Sequence, residues 1–174
     1  MKILILTISL IFSSLIYPDQ EMIVLDEAEY SISYPSNWII DRSNKLTEFY
    51  LFSRLDSPSD KFSENMSLIS QNIVGMNIDL DKYTQISVNQ IKRFFKDKIL
   101  TVKKHQNKDG LDYYEVIYIG KQDGSNLKFL QYNFVENGMA YVLTFTAEAS
   151  QFDRYKDIAY QTFNSFRLKN ASNN

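Results

Sequence analysis

The stretch KKHQNKDG, residues 103–110, holds the chain's single histidine. Histidine is the commonest general acid or base near neutral pH, and a frequent metal ligand. A Ser-His-Asp arrangement through His105 would need a serine presented on a strained elbow, and no G-x-S-x-G occurs in the chain. Lys103 and Lys104 precede it on a polar strand end, so His105 is expected to be an exposed bystander. Asp79 and Asp81 in IDLDKY form a second candidate, a spaced carboxylate pair. Their position ahead of an apolar stripe fits another task, favouring a helix N-terminus through its dipole. A metal site would need several carboxylates to converge. Cysteine is absent, which excludes disulfides, thiol nucleophiles, iron–sulfur clusters and Cys-ligated zinc. There is no phosphate-cradling glycine loop. Asn65-Met-Ser and Asn170-Ala-Ser match the glycosylation acceptor pattern, which is short enough to recur by chance. No catalytic, cofactor-binding or metal-ligating residue is assigned, and an enzyme is not expected.

Composition points the same way. The chain has 174 residues, of which 44 % are hydrophobic and 14 % aromatic, enough for one domain with a substantial core. Lys and Arg total 19 against 21 Asp and Glu, a formal charge of −2 that lacks the basic excess of a nucleic-acid binder. Lys2 followed by the apolar run Ile3–Ile16 reads as an export signal. That run falls short of the roughly 20 residues a membrane span needs. Tyr17-Pro18-Asp19 breaks it, although no A-x-A-like pair precedes Tyr17. The expected organisation is a signal over residues 1–18, one domain over 19–169 and a frayed tail over 170–174.

The elements that must position any site are clearest in the second half. Asp109-Gly110, Asp123-Gly124 and Asn137-Gly138 recur every 14 residues, between stretches rich in β-branched and aromatic residues. Such dipeptides accept the positive φ of tight hairpin turns, so a four-stranded antiparallel meander is predicted. A two-residue turn at Asn137-Gly138 pairs Phe134 with Tyr141, Tyr132 with Leu143 and Leu130 with Phe145 on one apolar face. At Asp123-Gly124 a three-residue loop is expected instead. It turns Glu115 outward and puts Tyr114, Val116 and Tyr118 on the face of Tyr132, because a buried unpaired carboxylate is costly. Two helices are predicted. One has the stripe Leu80, Tyr83, Val88, Ile91, Phe94 and Phe95 with Asp79 as N-cap. The other runs from about Gln151 to Phe166, with Ser150 and Asp153 resembling a capping box. In the first half MIVLD, YSISY, WIID, TEFYLFS and MSLISQNIV read as short strands, with Pro35 at a turn and Trp38 a core anchor.

The longest polar connection is SRLDSPSDKFSEN, residues 53–65. Connections longer than about 4–6 residues are often functional. Arg54, Leu55, Asp56, Asp60, Lys61 and Phe62 mix charge with apolar anchors, as interface residues do, and are expected to contact a partner.

SYPSNW, LDKYTQ opening a helix, GLDYYEVIYIG, LQYNFVENGMAYVLTFTA and FDRYKDIAYQTFNSF, taken in order, resemble the PsbP-like family over about residues 22–168. The resemblance implies an α+β chain folded as a three-layer α/β/α sandwich around a mainly antiparallel sheet. That family includes the extrinsic photosystem II subunit of chloroplasts and cyanobacteria and many secreted bacterial proteins; a Ran-binding nuclear-transport protein shares the fold. Its characterised members act mainly by binding other proteins, and no shared catalytic motif comes with the resemblance. Some photosynthetic members bind metal ions, which the single histidine and the lack of a matching cluster do not carry over. The expectation is an exported, periplasmic or extracellular accessory module, monomeric, without cofactor, metal or nucleic acid, that engages an envelope or extracellular protein. Two alternatives stand beside it: a carrier of a small apolar ligand between sheet and helices, and a hydrolase with an unrecognised site.

Overall fold

Strands that alternate apolar and polar residues must bury one face and can leave the other to water. Among the described residues, ten strands and two helices meet that requirement. The structure is a computed structural model that describes residues 20–95 and 98–169. The expected signal at 1–18 and tail at 170–174 lie outside the described residues.

In chain order the elements are β1 (Met22–Asp26), β2 (Tyr30–Pro35), β3 (Ile39–Asp41), β4 (Phe49–Phe52), β5 (Asn65–Asn72), α1 (Leu80–Phe95), β6 (Ile99–Gln106), β7 (Asp112–Gln122), β8 (Ser125–Glu136), β9 (Met139–Glu148), α2 (Phe152–Asn164) and β10 (Arg167–Leu168). Seven strands form one antiparallel sheet in the order β3-β4-β5-β9-β8-β7-β6, and β1-β2-β10 form a second, smaller sheet. α1 lies over β6, β7 and β8, while α2 packs on β9 and β2. The result is an α+β sandwich with the large sheet in the middle.

The main core lies between the large sheet and α2. Leu130, Phe134, Leu143 and Phe145 on the sheet are at most 2 % exposed, as are Phe152, Phe163 and Phe166 from the α2 segment. Tyr30 and Ile32 of β2 close this core from the side. Phe166 lies 5.2 Å from the Phe134 ring and 5.8 Å from that of Tyr30, linking the two sheets through one aromatic side chain. Trp38 is buried, as expected.

The Asn137-Gly138 hairpin has the expected register, Phe134 opposite Tyr141 and Leu130 opposite Phe145. Both turn residues have positive φ, 50° and 73°. The Asp123-Gly124 hairpin departs from expectation. Its turn has two residues, so Glu115 stands opposite Tyr132, and Val116 and Tyr118 face α1 instead. The carboxylate is accommodated because it is only half buried and acts on the Tyr160 hydroxyl. Burial first, and Glu115 next, push Tyr160 up to about 12.

Three further expectations change. Ser150 and Asp153 make no capping box: the N-cap is Gln151, in helical conformation and without a side-chain cap bond. β5 ends at Asn72, so Ile73 and Val74 lie in the connection to α1. Phe94 is 81 % exposed, and Thr84 takes a buried place on the helix.

Denaturant melts should show Phe145→Ala costing about 3–5 kcal/mol as a core truncation. Gly138→Val should cost at least about 1 kcal/mol, because a Cβ there would lie 2.5 Å from Val74 Cγ2 in a conformation of positive φ. Phe94→Ser should stay within about 0.5 kcal/mol. A near-neutral Phe145→Ala would contradict the core described here.

Candidate functional site

Strands sit about 4.8 Å apart, so seven span roughly 29 Å across. A helix with its side chains is only about 10–12 Å wide. α1 therefore cannot cover its face of the sheet, and its position decides what stays open. It is held to one side by Ile91, half-buried Val88 and Phe95 against Val116, Tyr118 and Phe129. Phe95 fits there because residue 120 is glycine: a Cβ on Gly120 would lie 2.1 Å from the Phe95 ring.

A polar lock runs along the middle of the helix. Gln131 Nε2 donates to Ser87 Oγ at 2.9 Å and to Asn133 Oδ1 at 2.7 Å, and Asn133 Nδ2 donates to Thr84 Oγ1 at 3.4 Å. Gln131, Asn133 and Thr84 are all buried. Buried amides are stable only when bonded in this way.

Beside α1 no described residue covers the β5–β9 half of the sheet face, and a half-open groove of about 590 Å³ runs along it. Ile69, Val142 and Thr144 supply its floor, with Gln131 at the border. At 3.6 residues per turn, Tyr83, Ile86, Gln90 and Phe94 fall on one flank of α1, and all four line the groove. The β5–α1 connection supplies the end wall through Ile73, Met76 and Ile78. That connection is tied to the β8–β9 turn by Ile73 N–H donating to the Gly138 carbonyl at 2.8 Å. Gly75 and Asn77, at φ 81° and 58°, let it bend. Among the described residues, no Asp, Glu, Lys, Arg or His lines the groove. Ile69, Met76, Ile86 and Phe94 at its lining, with Val74 beside it, are among the exposed large hydrophobic side chains of the protein. Such a cluster marks a binding surface far more often than singly scattered apolar residues do.

The residues expected to contact a partner lie elsewhere, on the β4–β5 loop. Arg154 donates to Asp56 in bidentate fashion and the Tyr155 hydroxyl donates to it at 3.1 Å, tying the loop to α2. Asp60 accepts from the N–H groups of Asp56 at 2.9 Å and Phe62 at 3.1 Å, and these donors hold its carboxyl below the usual range. Phe62 is half buried and packs against the cluster under α1. Arg54 Nε reaches the Asn37 carbonyl at 3.3 Å. Leu55 and Lys61 point to water. The loop is thus folded onto its own domain, with two of the six side chains left free.

The other candidates are separate from the groove and from one another. Asp79 Oδ1 accepts from Lys82 N–H at 2.8 Å, the helix-capping role expected of it. Asp81 pairs with Lys104 at 3.2 Å. The exposed His105 ring lies on Tyr113, centroids 5.3 Å apart. Among the described residues, no three of His, Asp or Glu stand together as a metal group would require, and no helix is long and apolar enough to cross a membrane.

No family model matches the chain, and no curated protein matches it by sequence. Solved structures do match. Cyanobacterial PsbP (CyanoP) from Synechocystis aligns at 13 % identity with a TM-score of 0.59, over 85 % of this chain and 92 % of that one. LpqN, a Mycobacterium tuberculosis protein involved in cell envelope biogenesis, aligns at 11 % identity and a TM-score of 0.60, over 87 % of this chain and 92 % of that one. A protein of unknown function from Pseudomonas aeruginosa, PA94, gives 12 % and 0.59 over 86 % and 99 %. The fold is PsbP-like. Likeness at this identity speaks for the architecture alone, so the groove has to be read from its own residues.

Sequence periodicity did not single out this groove. The signal it offered was the apolar set Ile73, Val74, Met76 and Ile78 in a glycine-containing connection, where polar residues are the norm.

At the base of the β4–β5 loop Glu64 is 2 % exposed and accepts from Ser53 Oγ at 3.3 Å. Burial raises its carboxyl above the ordinary value of 4.5. The folded state therefore holds that proton to higher pH than the unfolded chain, and its ionisation costs stability. Relative to the native protein, Glu64→Gln should gain stability as pH rises above 4.5 and then level off. Asp60, shifted the opposite way, acts below its ordinary 3.8. Urea melts of both proteins from pH 4 to 8 check this; parallel curves would contradict it.

Proposed function

We propose that the chain is an exported accessory module that works by binding, and that it carries a small apolar ligand in the groove beside α1. The carrying observation is the groove itself, which is half open, lined by no charged side chain among the described residues, and ringed by exposed Ile69, Met76, Ile86 and Phe94. Its volume of about 590 Å³ falls in the range of about 300–1,000 Å³ typical of small-molecule sites. A cavity open to solvent favours a carrier, whereas the solid aromatic core against α2 leaves no room for a ligand on that side.

A protein partner engaged through the β4–β5 loop is the second reading. Exposed Leu55, at 52 %, favours it, presented on a loop that Asp56 and Arg154 hold in one shape. The hydrolase reading draws no support: among the described residues, no serine or carboxylate is hydrogen-bonded to His105.

An environment-sensitive apolar dye such as N-phenylnaphthylamine tests the carrier reading. The native protein should bind it in a saturable, one-to-one manner. Ile86→Glu and Phe94→Glu should each weaken binding at least tenfold, about 1.4 kcal/mol, with unchanged melting. Equal binding by the native protein and both variants would overturn the assignment of the groove.

A further inference from the structure

The polar lock beneath α1 leaves two hydrogen-bonding positions unfilled at the border of the groove. Both hydrogens of Gln131 Nε2 are spent, one on Ser87 Oγ and one on Asn133 Oδ1. Asn133 donates in turn to Thr84 Oγ1 at 3.4 Å, so along this chain of bonds Gln131 Oε1 receives no donor. Gln131 is 5 % exposed and lines the groove, and among the described residues no donor reaches its Oε1. Ser87 also lines the groove. Its oxygen accepts from Gln131, so its own O–H proton remains to be given, and no acceptor among the described residues takes it. One acceptor and one donor therefore stand side by side where the apolar floor meets the helix.

We infer that the ligand is a neutral single-chain amphiphile, its aliphatic chain lying on Ile69, Ile86 and Val142 and its head both donating to Gln131 Oε1 and accepting from Ser87 Oγ. A carboxamide meets both demands. A carboxylate does not: it brings no donor for Gln131 Oε1, and among the described residues no cation lines the groove to balance it. A trimethylammonium head offers neither a donor proton nor an acceptor. Sites built to hydrogen-bond a polar group reject analogues lacking it, because the site's own groups are then left unpaired.

The inference rests on the proposed reading of the groove as a ligand site, and one set of titrations separates the two. Decanamide, decanoate and decyltrimethylammonium, each below its aggregation concentration at pH 7.5, are titrated into the purified protein by calorimetry. Decanamide should bind at least tenfold more tightly than either charged analogue. Ser87→Ala keeps the helix and should weaken decanamide about three- to tenfold. Equal affinity for the three heads would overturn the head-group inference and leave the carrier reading standing. That comparison on the native protein decides the matter even if the variant does not fold. Binding of none of the three, with no dye binding, would overturn both. A dimer in sedimentation that Phe94→Glu abolishes would give the groove to a second copy of the chain, and would also overturn it.

Discussion

A seven-stranded sheet is wider than one helix, and this mismatch governs the rest of the structure. On one face the requirement is met by combining α2 with the β1-β2-β10 sheet, so that Phe163, Phe166, Tyr30 and Ile32 fill the space over the strands. On the other face only α1 is available among the described residues. It must choose a side, and the notch above Gly120 that receives Phe95 decides the choice. Everything on the β5–β9 side then has to tolerate water or await something else. Farther along β5 and β9 that half carries the polar cross-strand pairs Ser67 with Thr144 and Asn65 with Thr146. Near α1 it is apolar, and there the groove forms.

The polar lock has a second consequence. Gln131 and Asn133 sit in β8 where an ordinary core strand would carry aliphatic residues, and their burial is tolerated because Ser87, Thr84 and each other satisfy them. An entirely apolar α1–β8 contact would hold the helix equally well. The amide chain gives this contact direction, and it places polar atoms at one border of an otherwise apolar groove. Small-molecule sites commonly combine apolar walls with a few fixed polar groups.

Much of the fold was legible in the residues. Asn137-Gly138 between alternating runs set a register that holds pair by pair, because positive φ at both positions and strict two-residue periodicity leave one solution. The neighbouring hairpin was misread because Glu115 was treated as if fully buried. In fact the edge of the core and the Tyr160 hydroxyl accommodate it, and the two-residue turn that Asp123-Gly124 advertised is formed. Phe94 was misread for a geometric reason. Residues three and four apart can span an arc wider than the part that is buried, and periodicity does not say where the buried part ends. The candidate loop was visible as a long polar connection, but its folding onto α2 depends on Arg154 and Tyr155, about a hundred residues away. The groove requires strand order and helix placement together, so local pattern could not reveal it.

Methyl-resolved NMR tests the central claim most directly. With isoleucine methyls labelled, a neutral single-chain amphiphile is titrated into the protein. Ile69, Ile73, Ile78, Ile86 and Ile91 line the groove, while Ile32 and Ile117 lie in or against the core on the opposite face. The account predicts saturable shifts confined to the groove set. Shifts concentrated on Ile32 and Ile117, or spread evenly over all the isoleucines, would contradict it.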